Sequence, residues 1–98
     1  MLFMATYKPR GEMTEATQKR SLQLFTNWKP PAGFEFKAHY AAADGSGYAL
    51  VEVDSPAAAV EGISPWEPFF EFSLTPVLEM AQAVPILQRV YAWRDSVR

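Results

Sequence analysis

The sequence predicts a small α+β domain in which a four-stranded antiparallel sheet carries helices on one face. Three observations lead to this expectation. The chain has 98 residues, a length typical of one domain spanning all of it. Apolar residues make up 49% of the chain, which is near the norm for globular proteins. Segments with strand-like and helix-like periodicity alternate along the chain in the order β-α-β-β-α-β-α.

The first two elements are a strand and a helix. Leu2 to Tyr7 is a short apolar and aromatic run, which is typical of a central strand. Thr14 is a good N-cap residue, and the helix that it begins is expected to end near Trp28. The Pro30-Pro31 pair follows, and the residue before a proline is pushed out of helical geometry.

A hairpin is predicted next, because Asp44-Gly45-Ser46-Gly47 separates two strand-like segments, Phe34 to Tyr40 and Tyr48 to Asp54. Strict alternation in the first strand of this hairpin puts four residues on one face and three on the other. The first group is Phe34, Phe36, Ala38 and Tyr40, and the second is Glu35, Lys37 and His39. Within the Gly45–Gly47 stretch, Gly-x-Gly lies between strands and is therefore a turn, not a dinucleotide fingerprint.

The second half repeats the pattern. Ser55-Pro56 is an N-cap followed by proline at the first helical position, so a short helix is expected through Val60. Ser64 to Glu67 resembles a capping box and indicates another brief helical turn. Phe70 to Val77 is a strand whose Pro76 places it at a sheet edge. A last helix is expected from Ala83 to Val97. With right-handed crossovers, this order predicts the ferredoxin-like βαββαβ sandwich plus a C-terminal helix.

The predicted hairpin brings together the residues that are candidates for catalysis. A two-residue turn at Asp44-Gly45 pairs Lys37 with Glu52, whereas a turn at Gly45-Ser46 pairs His39 with Glu52. Both registers leave Lys37, His39 and Glu52 on one sheet face. A histidine–carboxylate pair can act as a general base near neutral pH, so we expect His39 as the base and Glu52 as its partner. A carboxylate on the same face, Glu52 or another, is also expected to raise the pKa of His39. A solvated face or an interface ion pair is the alternative reading of the same pattern.

Aromatic residues mark the expected ligand contacts. The chain has three Trp, four Tyr and seven Phe residues, more than a core of this size needs. Tyr7, Trp28 and Trp66 are placed to wall a pocket between the sheet and the helices, with Lys37 as a further contact. Trp28 is expected to be substantially buried beside the Pro30-Pro31 bend. Ordinary core packing is the alternative interpretation.

Composition removes several function classes. The net charge of −2 and the scattered lysines and arginines argue against nucleic-acid binding. No apolar run reaches membrane-spanning length, and the N-terminus lacks a basic leader, so a cytoplasmic protein is expected. The chain has no cysteine, and its single histidine cannot build a two-histidine metal site within one chain. We therefore expect no metal and no cofactor.

Four segments carry a family resemblance: the Trp28–Gly33 element, Ala42–Gly47, Leu50–Asp54 and Thr75–Val77. Together they resemble the domain of unknown function 3303 family, which is similar to the dimeric α/β-barrel superfamily. The resemblance covers about residues 1 to 80 and leaves the last helix as an individual extension. It implies the ferredoxin-like fold and a face-to-face homodimer, but no established reaction.

Three functions remain open at this point. The first is a homodimer that holds a small, partly apolar molecule between sheet and helices. The second is a cofactor-independent monooxygenase or isomerase with His39 as base. The third is a structural or stress-related dimer without a ligand. Fold alone does not choose among them.

Overall fold

The computed structural model describes residues 1–98 and confirms the predicted order of elements. The elements are β1 (Leu2–Pro9), α1 (Glu15–Thr26), β2 (Phe34–Ala41), β3 (Gly47–Val53), α2 (Pro56–Ile63), a 3₁₀ turn (Ser64–Trp66), β4 (Phe70–Pro76) and α3 (Met80–Ser96).

The four strands form one antiparallel sheet in the order β2-β3-β1-β4. This is the ferredoxin-like arrangement, in which each crossover helix skips one strand position. β1 is central, as its apolar sequence predicts, and β4 lies at an edge, where Pro76 removes no needed donor.

Both predicted helix caps are confirmed. The backbone N–H of Thr17 donates to the Thr14 hydroxyl at 3.1 Å, and that of Ala58 donates to the Ser55 hydroxyl at 3.1 Å. Each cap satisfies a backbone donor that the first turn leaves free. These caps fix where α1 and α2 enter the layer that lies over the sheet.

The hairpin between β2 and β3 differs from both predicted registers. Ala42 and Ser46 are joined by a backbone hydrogen bond of 2.8 Å, so the loop has three residues rather than two. Gly45 supplies the left-handed position of such a loop, with φ of 88°. The Ser46 backbone N–H donates to Asp44 Oδ1 at 3.0 Å and lowers the pKa of that carboxyl. Compared with a two-residue turn at Asp44-Gly45, this loop shifts the pairing by one residue and turns the side chains at the loop end of β2, Ala38 to Ala41, to the other face.

A β-bulge then corrects the shift along the rest of β2. The pairing runs His39 with Ala49, then skips Lys37, and continues with Phe36 opposite Val51. Because the bulge adds one residue, Phe36 and His39 both face the helices, although strict alternation would separate them.

The predicted shared face of His39 and Glu52 is therefore wrong. Glu52 lies opposite Glu35 on the face that carries no helices, where its Oε1 accepts from the Met1 amino group at 2.5 Å. His39 lies on the other face. The physical reason is the combination of a three-residue loop and a bulge, neither of which alternation reveals.

Only nine of the 98 residues are buried, so the core is small. Six apolar residues form its contiguous cluster, which consists of Ala5, Phe34, Ala49, Val51, Val53 and Ala58. They cluster where α2 packs on the sheet, whereas α1 has no buried residue. α1 consequently stands off the sheet and leaves a space beneath it.

The last helix, α3, extends away from the sheet and the other helices. It begins at Met80, three residues before the predicted start, and contains Pro85 in its second turn. None of its 17 residues is buried. The molecule measures 59 × 29 × 19 Å as a result. No helix in the structure combines the length and the hydropathy needed to cross a bilayer.

Candidate functional site

A cavity of about 410 Å³ lies between α1 and the sheet. Its floor is the helix-facing side of the sheet, and its roof includes Ser21, Leu22 and Phe25 of α1. Gly62, Ile63 and Trp66 close one end. The volume falls within the range of small-molecule sites, about 300 to 1,000 Å³. Apolar side chains supply 14 of its 17 lining residues.

Tyr7 and His39 are the two titratable residues that line this cavity, with Tyr7 half-buried and His39 exposed at its edge. A hydrogen bond of 2.6 Å joins the Tyr7 hydroxyl to His39 Nε2. The imidazole stacks on Phe36 with ring centroids 4.8 Å apart and an interplanar angle of 9°. Phe25 meets the same ring edge-on at 5.8 Å. The histidine is thus held by aromatic contacts on two sides and by one hydrogen bond.

Gly47 makes the Tyr7–His39 contact possible. β3 separates β1 from β2, and Gly47 is the β3 residue that pairs with both Tyr7 and Ala41. A Cβ placed on Gly47 would lie 1.9 Å from Tyr7 Cζ. The Tyr7 ring therefore occupies the space that any other residue would fill, and it leans across β3 to reach His39.

The cavity wall is aromatic. Trp28 meets Trp66 edge-to-face at 5.3 Å and Phe36 at 6.1 Å. Phe25 lies 5.8 Å from Trp66 across the roof. Trp66 is 7% exposed, whereas Trp28 is half-buried against the core. The expectation that Trp28 is substantially buried beside Pro30-Pro31 is thus only partly met, and Trp66 is the buried tryptophan.

The surroundings of the two titratable groups in the lining favour the uncharged form of each. Burial raises the pKa of the Tyr7 phenol above 10.0 and lowers the pKa of the His39 imidazole below 6.5, because loss of water disfavours each charged form. No carboxylate, lysine or arginine lines the cavity. The predicted rise in the pKa of His39 is wrong, since the carboxylate that was to cause it lies on the other sheet face.

The structure brings together four of the six predicted site residues. Tyr7, His39, Trp28 and Trp66 line the cavity. Glu52 and Lys37 do not: Glu52 is on the opposite face, and Lys37 Nζ lies 3.2 Å from Glu35 Oε1 at the bulge. No group of three or more histidine, cysteine, aspartate or glutamate side chains is arranged to hold a metal ion.

Sequence reasoning missed several lining residues. Phe70 and Phe72 contact Tyr7, with ring centroids 5.1 and 5.4 Å away. Their alternation along β4 is a signal that they share a face. Phe36 was assigned to a strand face opposite to that of His39, and Phe25 was not linked to His39. Gly47 carries no signal of its role, because its partner Tyr7 is known only once the strand register is known.

The chain matches the family described as Domain of unknown function (DUF3303) over residues 1–91. No curated protein and no solved structure gives a significant match. The match reaches Tyr91 within α3, so the prediction that the last helix lies outside the resemblance is wrong for most of that helix. The chain belongs to the DUF3303 family.

Proposed function

We propose that this member of the DUF3303 family binds a small, neutral, largely aromatic molecule in the cavity beneath α1. The observation that carries the proposal is an aromatic cavity of about 410 Å³ whose lining contains one hydrogen-bonded polar pair, Tyr7 and His39. Apolar walls with few convergent polar groups are the usual make-up of small-molecule sites.

The chemistry of the lining selects the class of ligand. Flat rings stack well on Trp and Phe side chains, and such pairs add about 0.5–1.5 kcal/mol to the free energy gained from buried area. A charged ligand finds no opposite charge among the lining residues, and burying an unpaired charge is costly. The ligand is therefore neutral and carries one hydroxyl or carbonyl oxygen that meets Tyr7 or His39.

Binding is tested with N-phenyl-1-naphthylamine, a neutral aromatic probe whose fluorescence rises in apolar sites. We expect saturable binding of one probe per chain, accompanied by quenching of Trp28 and Trp66. Trp93, which is 66% exposed on α3, is removed in a Trp93→Phe background so that both remaining tryptophans lie at the cavity. Probe binding without tryptophan quenching would place the probe elsewhere and contradict the proposal.

A pair of matched variants locates the probe. Ala41 lines the cavity and is exposed, so Ala41→Phe narrows the opening without disturbing the core. Ala43 is exposed in the neighbouring loop and does not line the cavity. We expect Ala41→Phe to weaken binding at least about tenfold, equivalent to 1.4 kcal/mol, and Ala43→Phe to leave it unchanged. Equal effects of the two variants would contradict binding in this cavity.

A second candidate function is cofactor-independent proton transfer, as in an isomerase or in activation of a substrate for monooxygenation. It is favoured by the neutral imidazole of His39 beside the Tyr7 hydroxyl, because an unprotonated His39 can accept a proton while Tyr7 donates to a carbonyl oxygen. The test is deuterium uptake at the carbon next to the carbonyl of 2-indanone in D₂O. Uptake no faster than in buffer, or equally fast with His39→Gln, would contradict this candidate.

A further inference from the structure

Helix α3 has no cover within its own chain. Nine large apolar side chains on it or next to its ends are between 39% and 72% exposed. The radius of gyration is 17.4 Å, compared with about 13 Å for a compact domain of 100 residues. Helices in proteins gain most of their stability by packing an apolar face against another surface, and α3 has no such surface in its own chain.

The apolar surface of α3 is wide and has two rows. Ala83, Ile86, Val90, Trp93 and Val97 form one row at alternating spacings of three and four. Met80, Val84, Leu87 and Tyr91 form a second row beside it. At 3.6 residues per turn the two rows together cover about half of the helix circumference. A two-stranded coiled coil buries only one such narrow seam, whereas a helix lying on a domain buries a wider stripe.

The sheet face that carries no helices is the other uncovered apolar surface. Tyr40, Tyr48 and Met4 are 67%, 47% and 36% exposed there, with Leu2 and Leu50 half-buried between them. An antiparallel sheet that faces water usually presents polar residues on that side. This face is apolar at its centre, which is typical of a covered surface.

The net charge of α3 and the residues after it is opposite in sign to that of the rest of the chain. Residues 1–79 carry six lysines and arginines against ten aspartates and glutamates, whereas residues 80–98 carry three arginines and one aspartate. The body is thus acidic and α3 is basic, so α3 is attracted to the body of another copy and the bodies repel one another.

We propose that α3 is an exchange arm, and that the α3 of each chain packs across the helix-free sheet face of a second copy in a two-fold dimer. The contact is reciprocal, as in a domain swap, so one patch on each chain serves both halves of the interface. Each partner contributes roughly 800 Å² to a standard interface, and the exposed apolar side chains of α3 together with the sheet face are the surfaces available to supply it.

The test is the mass in solution by light scattering at micromolar concentration, with the full chain throughout. We expect the wild type at twice the chain mass of 11.0 kDa. Val90→Glu places a charge in the apolar rows and is expected at the chain mass. Gln88→Glu adds the same charge on the polar side of α3 and is expected to remain a dimer. Since none of the α3 residues is buried in the subunit, circular dichroism should show both variants folded.

Variants of the sheet face identify what α3 touches. Tyr48→Glu is expected at the chain mass, and Tyr40→Glu, at the more exposed of the two paired tyrosines, serves if the first variant is unfolded. A monomeric wild type would overturn the proposal. A dimer that survives Val90→Glu would mean that the sheet faces meet without the arm. A dimer that is lost with Val90→Glu but survives both tyrosine variants would mean that two α3 helices pair with each other. Either of these dimers would overturn the exchange.

Discussion

The Tyr7 hydroxyl and His39 Nε2 lie 2.6 Å apart although their strands are not neighbours in the sheet. The Tyr7 ring crosses the intervening strand over Gly47, where there is no side chain. The only polar pair in the cavity therefore depends on a glycine that itself offers no chemistry.

Replacing Gly47 with alanine is expected to break the Tyr7–His39 contact. The new Cβ would lie 1.9 Å from Tyr7 Cζ, and Gly47 lies in a regular strand, so steric overlap and not backbone strain causes the effect. Overpacking of this kind costs about 1–3 kcal/mol in the free energy of unfolding. Urea denaturation measures the loss, and the NMR shift of the single imidazole reports the contact.

A double-mutant cycle provides the control for Gly47. In a Tyr7→Ala background the clashing ring is gone, so Gly47→Ala should lower the free energy of unfolding much less than it does in the wild type. An equal cost in both backgrounds would show that Tyr7 is not the obstacle.

The pKa of His39 is expected below 6.5 in the folded protein, because burial disfavours the imidazolium. A depressed folded pKa means that the unfolded chain binds the proton more readily. The contribution of His39 to the free energy of unfolding is then fully present above pH 6.5 and is lost as pH falls from 6.5 through the folded pKa. His39→Gln should flatten this part of the stability profile. An NMR titration measures the pKa without ambiguity, since the chain has one histidine. A value at or above 6.5 would contradict the prediction.

The two cavity tryptophans should differ in their contribution to stability. Trp66 is 7% exposed and Trp28 is half-buried. Truncation of a buried tryptophan costs about 3–5 kcal/mol, so Trp66→Ala is expected in that range and Trp28→Ala below it. Urea unfolding of the two variants gives the comparison. A larger loss for Trp28→Ala would mean that Trp28 and not Trp66 anchors the wall.

The sequence was sufficient to predict the order of the strands and helices, because punctuating residues act locally. Thr14 and Ser55 cap helices, Pro30 follows a helix, and Pro76 belongs at an edge for reasons that need no tertiary contact. Aromatic composition was also enough to place Tyr7, Trp28 and Trp66 at one cavity.

The face on which His39 lies could not be predicted by the same means. It depends on whether the hairpin loop has two or three residues and on whether β2 contains a bulge. Each irregularity reverses the alternation once. His39 lies between the loop and the bulge, so it changes face. Phe36 lies beyond both irregularities, so the two reversals cancel and it keeps its predicted neighbours. Both irregularities depend on contacts that are distant in sequence. The bulge lets Phe34 and Phe36 pack towards α2 and the cavity. The three-residue loop uses Gly45 at positive φ.

Glu52→Gln is expected to leave the pKa of His39 unchanged, and this result would separate the observed site from the histidine–carboxylate pair. Glu52 lies on the opposite face of the sheet from His39, and its Oε1 is 2.5 Å from the Met1 amino group. Tyr7→Phe is the positive control, because it removes the atom that lies 2.6 Å from Nε2 and should move the pKa. The measurement is again the titration of the single imidazole. A shift with Glu52→Gln as large as that with Tyr7→Phe would mean that Glu52 reaches His39 after all. An unchanged value would leave Tyr7 as the residue that acts on His39 in any proton transfer within the cavity.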